Sequence, residues 1–308
     1  MSRSYQIEDF QFFTFITGLQ NKEQILLQEL IDSFPFKNTH KLNIIDKSEA
    51  TKRLSKANKK IFLNERYYIQ NIDVDFDHNS WNHFLSMNSQ YVNVIKENEF
   101  DHHLTSVHKI MTKYLTADYA IILDSDSKFI NNYYITDIIK LLTKYNDKGD
   151  VAALGQIYQE APFSLPFKTF LPQDFYRLLL SENRVSIAGA LKGLLRFYLN
   201  GMKYSKSDRA HKLPRLFFSL ITISREIYVS EGMFSKNLWL EIFSENRGIW
   251  ESHRVMGDSG ASLLYQIGMA GKKIINIRYN KYINHQRSGS RNLNSNTNTT
   301  KNWLRFDN

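Results

Sequence analysis

The chain has no cysteine, so no disulfide can hold it together and the core must be built by packing alone. It also has no stretch approaching the roughly 20 apolar residues that a membrane-spanning helix needs. The start, "MSRSYQIEDFQFF", lacks a basic lead, an apolar core of signal-peptide length and a small-residue cleavage site. These absences lead to the expectation of a cytoplasmic protein, with any membrane contact peripheral. There is no internal repeat, zinc-ligand spacing, aromatic RNA-binding pattern or clustered basic stripe. A basic nucleic-acid binder is therefore the weaker reading of the charge, and no nucleic-acid partner is expected.

What is present is a chain of 308 residues, 42% hydrophobic and 14% aromatic, long enough to bury a substantial core. Lys and Arg number 40 against 31 Asp and Glu, a formal charge of +9 that favours an anionic partner: nucleic acid, a membrane surface or a phosphorylated small molecule. Only five prolines occur, and four of them, at 162, 166, 172 and 214, fall in one segment.

The patterning alternates. "FFTFIT" (12–17) reads as a strand. In "NKEQILLQELIDSF" (21–34), Ile25, Leu26, Leu30 and Ile31 have helical spacing, and "HKLNIID" (40–46) is again a strand. "QYVNVIK" (90–96) reads as a strand. A helix follows over 101–118 with Leu104, Val107, His108, Met111 and Leu115 on one face, then the apolar run "YAIIL". "YYITDIIKLLTKY" (133–145) predicts a helix and "VAALGQIY" (151–158) a strand. "LFFSLITISREIYV" and "KKIINIRY" read as strands, "SKNLWLEIF" and "DSGASLLYQIGMAG" as helices.

Strands alternating with helices predict an α/β fold, Rossmann-like, with a mixed, mainly parallel central sheet flanked by helices. One domain over 1–308 is expected, with a nucleotide-binding half (1–155), an acceptor and catalytic half (216–287) and an Asn-, Ser- and Thr-rich flexible tail (288–308). The proline-rich 160–215 segment reads as a helical insertion. Its basic amphipathic stretch, with Lys192, Arg196, Lys203 and Lys206, suits either an anionic lipid surface or packing on the core.

The chemistry concentrates where "YAIIL" runs into Asp124-Ser125-Asp126. In open α/β sheets ligands bind beyond the carboxyl ends of the strands. Two hard oxygen donors one residue apart there suit a Mg²⁺ or Mn²⁺ that completes its shell with water and substrate phosphates. Asp and Ser also favour any turn after a strand.

The segment "TADYAIILDSDSKF" resembles the D-x-D region of family 2-type GT-A glycosyltransferases, and further likenesses follow in order. "LNIIDKSE" resembles the second-strand motif whose acidic residue meets the nucleotide base, "YVSEGMFSKNLWLE" the acceptor-side segment, and "GDSGASLLYQIGMAGKKIINI" the helix carrying the catalytic carboxylate. "INHQRSGSR" is similar to the closing His and Gly-Ser segment. This resemblance implies a GT-A fold and a metal-dependent, inverting transferase of polysaccharide biosynthesis. Its donor would be a nucleotide-diphosphate sugar, UDP-linked by preference, and its acceptor a glycan or a lipid-linked molecule.

It further implies Asp126 and Asp124 as metal ligands, with His285 a metal or diphosphate contact, and Asp46 and Asp124 as donor contacts. Asp258 would be the general base, with Glu251 the fallback. Asp258 equally has the position of a helix N-cap, and His285 that of a solvated loop residue. Where many members carry Arg-Asn, this chain has His108-Lys109, so Lys109 is the positive group expected to meet a diphosphate there. Arg287 and Arg291 are placed to close over the diphosphate or to stay solvated. His102 and His103, adjacent on a helix, point apart and read as surface or donor-pocket residues rather than metal ligands. The rival enzyme is a haloacid-dehalogenase-type phosphatase, which also places D-x-D after an apolar strand. Lys128, the long chain before the motif and a "GDSGASL" without a second Asp count against it.

Overall fold

A computed structural model describes residues 4–57, 61–64, 67–69, 74–101, 103–157, 227–243, 267, 272–277, 281–285 and 303–305. Contacts divide the chain into two compact units. One consists of Phe10–His103, Ile121–Tyr134 and Lys281–Asn308, the other of Met1–Asp9, Leu104–Ala120 and Ile135–Asn280.

In the first unit, β1 (Phe10–Ile16) pairs in parallel with β2 (Leu42–Asp46), and β2 with β5 (Val92–Lys96). The register sets Ile16 opposite Asp46 and Asp46 opposite Lys96, so the three carboxyl ends share one edge. β1 and β2 are buried almost throughout, as strands covered on both faces must be, whereas β5 at the margin is largely open to solvent after Val92. β6 (Tyr119–Ile122, its first two residues belonging to the other unit) is buried at every residue, and just past its end the Leu123 N–H donates to the Phe13 carbonyl.

Between β1 and β2 runs α1 (Lys22–Ser33), which buries Leu26, Leu27, Leu30 and Ile31. Ile25, expected on the inner face, is 62% exposed; the apolar stripe is turned by one residue, and Leu27 takes the buried place. The polar stretch after β2 contains α2 (Ser48–Lys56), the short strands β3 (Ile61–Asn64) and β4 (Tyr67–Ile69), and α3 (His78–Met87). Further on, β7 (Ser127–Phe129) pairs antiparallel with β11 (Ile283–His285). β12 (Trp303–Arg305) pairs antiparallel with β4, so at those three residues the expected tail is a strand.

In the second unit α4 (His103–Lys109, its first residue belonging to the first unit) passes into a π-helical turn, Ile110–Tyr114, closed by Leu115 N–H to the Ile110 carbonyl. The single helix expected over 101–118 is therefore shorter and changes pitch midway. Then come α5 (Tyr134–Tyr145), β8 (Val151–Ile157), β9 (Ile227–Ser235), α6 (Lys236–Ile242) and β10 (Lys273–Ile277). The strand order is β10-β8-β9, with β10 parallel and β9 antiparallel to β8.

The class is α/β with mixed, mainly parallel pairing and flanking helices, the arrangement that the GT-A resemblance implies. Among the described residues no helix is long and apolar enough to cross a membrane. The 160–215 segment lies outside the described residues.

Candidate functional site

The apolar run of β6 ends because Leu123 is the last residue that the sheet can bury; the chain then turns at once. Ser127 N–H donates back to the Asp124 carbonyl at 3.1 Å, a four-residue turn over Asp124-Ser125-Asp126-Ser127. Asp124 is half-buried and Asp126 is 2% exposed. The downstream arm of the turn is β7, tied to α1 by the Phe129 N–H to Ser33 Oγ bond at 3.0 Å and by Lys128 Nζ near Glu29 Oε2 at 3.6 Å.

The β7–β11 register places His285 opposite Ser127, the residue after Asp126. The turn and the closing His segment, more than a hundred residues apart in the chain, thus meet in one two-stranded ribbon. Asp124, Asp126 and His285 are the expected site residues that the fold brings together at the level of the backbone.

Asp46 ends β2 at 4% exposure. Its Oδ1 accepts from the Ser48 N–H and its Oδ2 from the Trp81 indole N–H, both at 2.9 Å. A buried carboxylate requires such donors. Lys47, next along, is buried too: its Nζ donates to the Asp101 carbonyl at 3.0 Å and sits 5.4 and 5.3 Å from the Phe15 and Phe100 ring centres. His103 packs edge-on against Phe15 at 5.2 Å.

Before α1, the loop Thr17–Gln20 wraps around one carboxylate. Glu23 Oε2 accepts from the Thr17 N–H (2.7 Å) and Gly18 N–H (3.1 Å); Oε1 accepts from Thr17 Oγ1 (2.6 Å), Leu19 N–H (3.0 Å) and Gln20 N–H (3.2 Å). Gly18 has φ of +70°, and a Cβ there would come within 2.3 Å of Ser48 Cα, so the loop is pressed against the start of α2.

Lys109 ends α4 in the second unit. Its neighbour His108 accepts at Nδ1 from the Trp239 indole N–H at 3.2 Å, which fixes the neutral tautomer with hydrogen on Nε2, and burial lowers its pKa. Positive charge at this position is therefore left to Lys109.

Asp258, Glu251, Arg287, Arg291 and His102 lie outside the described residues. Glu23, Lys47 and Trp81 were not singled out from sequence. An acidic residue in the first turn of a helix that follows a strand and a glycine is a readable signal for Glu23; nothing local marks Trp81 as the partner of Asp46.

An all-oxygen donor pair on one turn, at the end of a strand, fits a hard divalent cation such as Mn²⁺ or Mg²⁺. Among the described residues no three His, Cys, Asp or Glu side chains come together.

No family model and no curated protein matches the chain. Among solved structures it is similar to TarS 1-349 of S. aureus, with TM-score 0.42 and 9% identity over 89% of this chain and 59% of that one. The same protein in complex with UDP-GlcNAc gives TM-score 0.40 and 9% identity over 89% and 57%. The mannosyltransferase PcManGT from Pyrobaculum calidifontis, in complex with GDP-Man and Mn²⁺, gives TM-score 0.44 and 11% identity over 88% and 55%. The chain spans less than two thirds of the length of each of these.

Proposed function

We propose that the chain is a metal-dependent GT-A glycosyltransferase that moves a sugar, with inversion, from a nucleotide-diphosphate donor, UDP-linked by preference, to a glycan or lipid-linked acceptor. The observation that carries this reading is the Asp124-Ser125-Asp126 turn at the end of β6, with β11 and His285 in register beside it. A turn of this kind is where an α/β sheet meets a ligand, and two carboxylates one residue apart on it supply the hard oxygen donors that a divalent cation takes.

In such a transfer the acceptor oxygen attacks the anomeric carbon, the bond from that carbon to the diphosphate oxygen breaks, and the acceptor hydroxyl loses its proton. Asp126 and Asp124 would hold Mn²⁺ or Mg²⁺, which supplies Lewis-acid stabilisation of the departing diphosphate. Asp46 and its surroundings shape the nucleoside end, and Asp258 takes the acceptor proton. Lys109 and Arg287 supply positive charge toward the diphosphate.

The test is calorimetric titration of nucleoside diphosphates into the protein with Mn²⁺ and with EDTA. Binding that Mn²⁺ strengthens, and that in Asp126→Ala falls back to its level in EDTA, is expected. Binding of no nucleotide under either condition overturns the reading.

A further inference from the structure

We infer that Glu23 is a positioning residue for the nucleotide site, a role that rests on the function proposed above. Four consecutive backbone N–H groups, Thr17 to Gln20, and the Thr17 hydroxyl converge on its carboxylate. A loop of converging N–H groups between a strand and a helix N-terminus is an anion cradle. Here the chain fills that cradle with its own side chain, 5% exposed, so the loop offers no seat to a ligand phosphate.

The filled loop is then clamped on two further sides. Thr51 Oγ1, from α2, donates to the Thr17 carbonyl at 2.5 Å, and Gly18 lies against Ser48. On the other side Asn21 N–H donates to the Asp75 carbonyl at 2.7 Å, Asp75 N–H to the Leu19 carbonyl at 3.0 Å, and Asp77 N–H to Asn21 Oδ1 at 2.8 Å.

These contacts form a chain leading to the site. Ser48, which Gly18 touches, gives its N–H to Asp46, and Asp46 in turn holds the indole N–H of Trp81. The carboxyl ends of β1 and β2, where Ile16 stands opposite Asp46, therefore keep their shape because Glu23 keeps the loop's shape. Charge-assisted bonds from five donors make a rigid element of a segment that contains a glycine and would otherwise move. Replacing the carboxylate by an amide sets an NH₂ against N–H donors and opens the loop.

The experiment compares the intact chain with Glu23→Gln, and with Asp32→Asn on the exposed side of the same helix as control. Nucleoside diphosphate binding is titrated with Mn²⁺ and with EDTA, and amide hydrogen exchange is followed in both variants. Glu23→Gln is expected to weaken nucleotide binding roughly tenfold, the scale at which supporting residues act, and by the same factor with or without metal. Exchange at Gly18, Leu19 and Gln20 rises while that of β2 and β5 stays as in the parent. An Asp126 substitution, in contrast, removes only the metal-dependent part.

Should Glu23→Gln fail to fold, Thr51→Val carries the same test, since it removes just the hydroxyl that holds the Thr17 carbonyl. Nucleotide binding equal to the parent's, with the loop amides exchanging faster, overturns the inference while leaving the proposed function standing. Absence of nucleotide binding by the parent protein overturns both.

Discussion

The indole N–H of Trp81 on α3 and the Oδ2 of Asp46 at the end of β2 are hydrogen-bonded at 2.9 Å, both side chains being buried. A ring from one helix thus fixes the direction of a carboxylate at the edge where three parallel strands end. Trp81→Phe keeps an aromatic side chain but removes the donor and part of the buried ring, leaving Asp46 short of one partner. A loss of about 2 kcal/mol in unfolding free energy is expected from urea denaturation. An unchanged midpoint would show that the bond contributes nothing.

The turn after β6 predicts a separation between two substitutions. Asp126→Ala, at a buried position, is expected to lower Mn²⁺-supported nucleotide binding by about a hundredfold or more, beyond what loss of a merely supporting residue costs. With EDTA present the parent and the variant should converge. Equal affinity of the two proteins in Mn²⁺ would remove Asp126 from the metal site.

Gly18 predicts a stability defect with a steric origin. Gly18→Ala puts a Cβ on a backbone with φ of +70° and 2.3 Å from Ser48 Cα, neither of which can be relieved by rotating a side chain. About 3 kcal/mol or more should be lost. Thermal unfolding checks it, and a melting temperature within a degree of the parent's would contradict the close approach.

His108 predicts a pH dependence whose sign follows from burial. Its folded-state pKa lies below the ordinary value of 6.5, so the unfolded chain takes up the proton more readily. The stability that goes with the neutral ring is complete above pH 6.5 and is lost as the pH falls from there through the lowered folded value. Protonation also removes the Nδ1 lone pair that accepts from Trp239. In urea titrations between pH 7.5 and 5, His108→Gln should decline less steeply than the parent; parallel curves would refute the assignment.

Much of this architecture could be read from the residues. The strands at 10–16, 42–46, 92–96 and 119–122 each fall within two residues or so of the apolar runs that announced them, because strands buried in a sheet, as β1, β2 and β6 are, consist mostly of apolar residues. The turn at Asp124–Asp126 was legible for the converse reason, that charged residues end such a run. What escaped was set by tertiary contact. Ile25 and Leu27 are both apolar and flank Leu26, and only packing decides which one faces inward. The change of pitch at Ile110–Tyr114 leaves no mark in a 3.6-residue pattern beyond a small angular drift. The acceptance of five hydrogen bonds by Glu23 and the burial of Lys47 between two rings depend on segments distant in sequence, as does the pairing of Asp46 with Trp81.

The ribbon of β7 and β11 has a bearing on how the molecule is made. Three residues of β7 cannot persist as a strand alone, and their partner is Ile283–His285. At roughly 5–20 residues per second, a ribosome that has finished Phe129 delivers Ile283 only about eight to thirty seconds later. Throughout that interval the nascent chain carries the two carboxylates on a turn whose outgoing arm has α1 to lean on but no neighbouring strand. The carboxylate pair is thus synthesised early and framed late, by a strand from a distant part of the sequence.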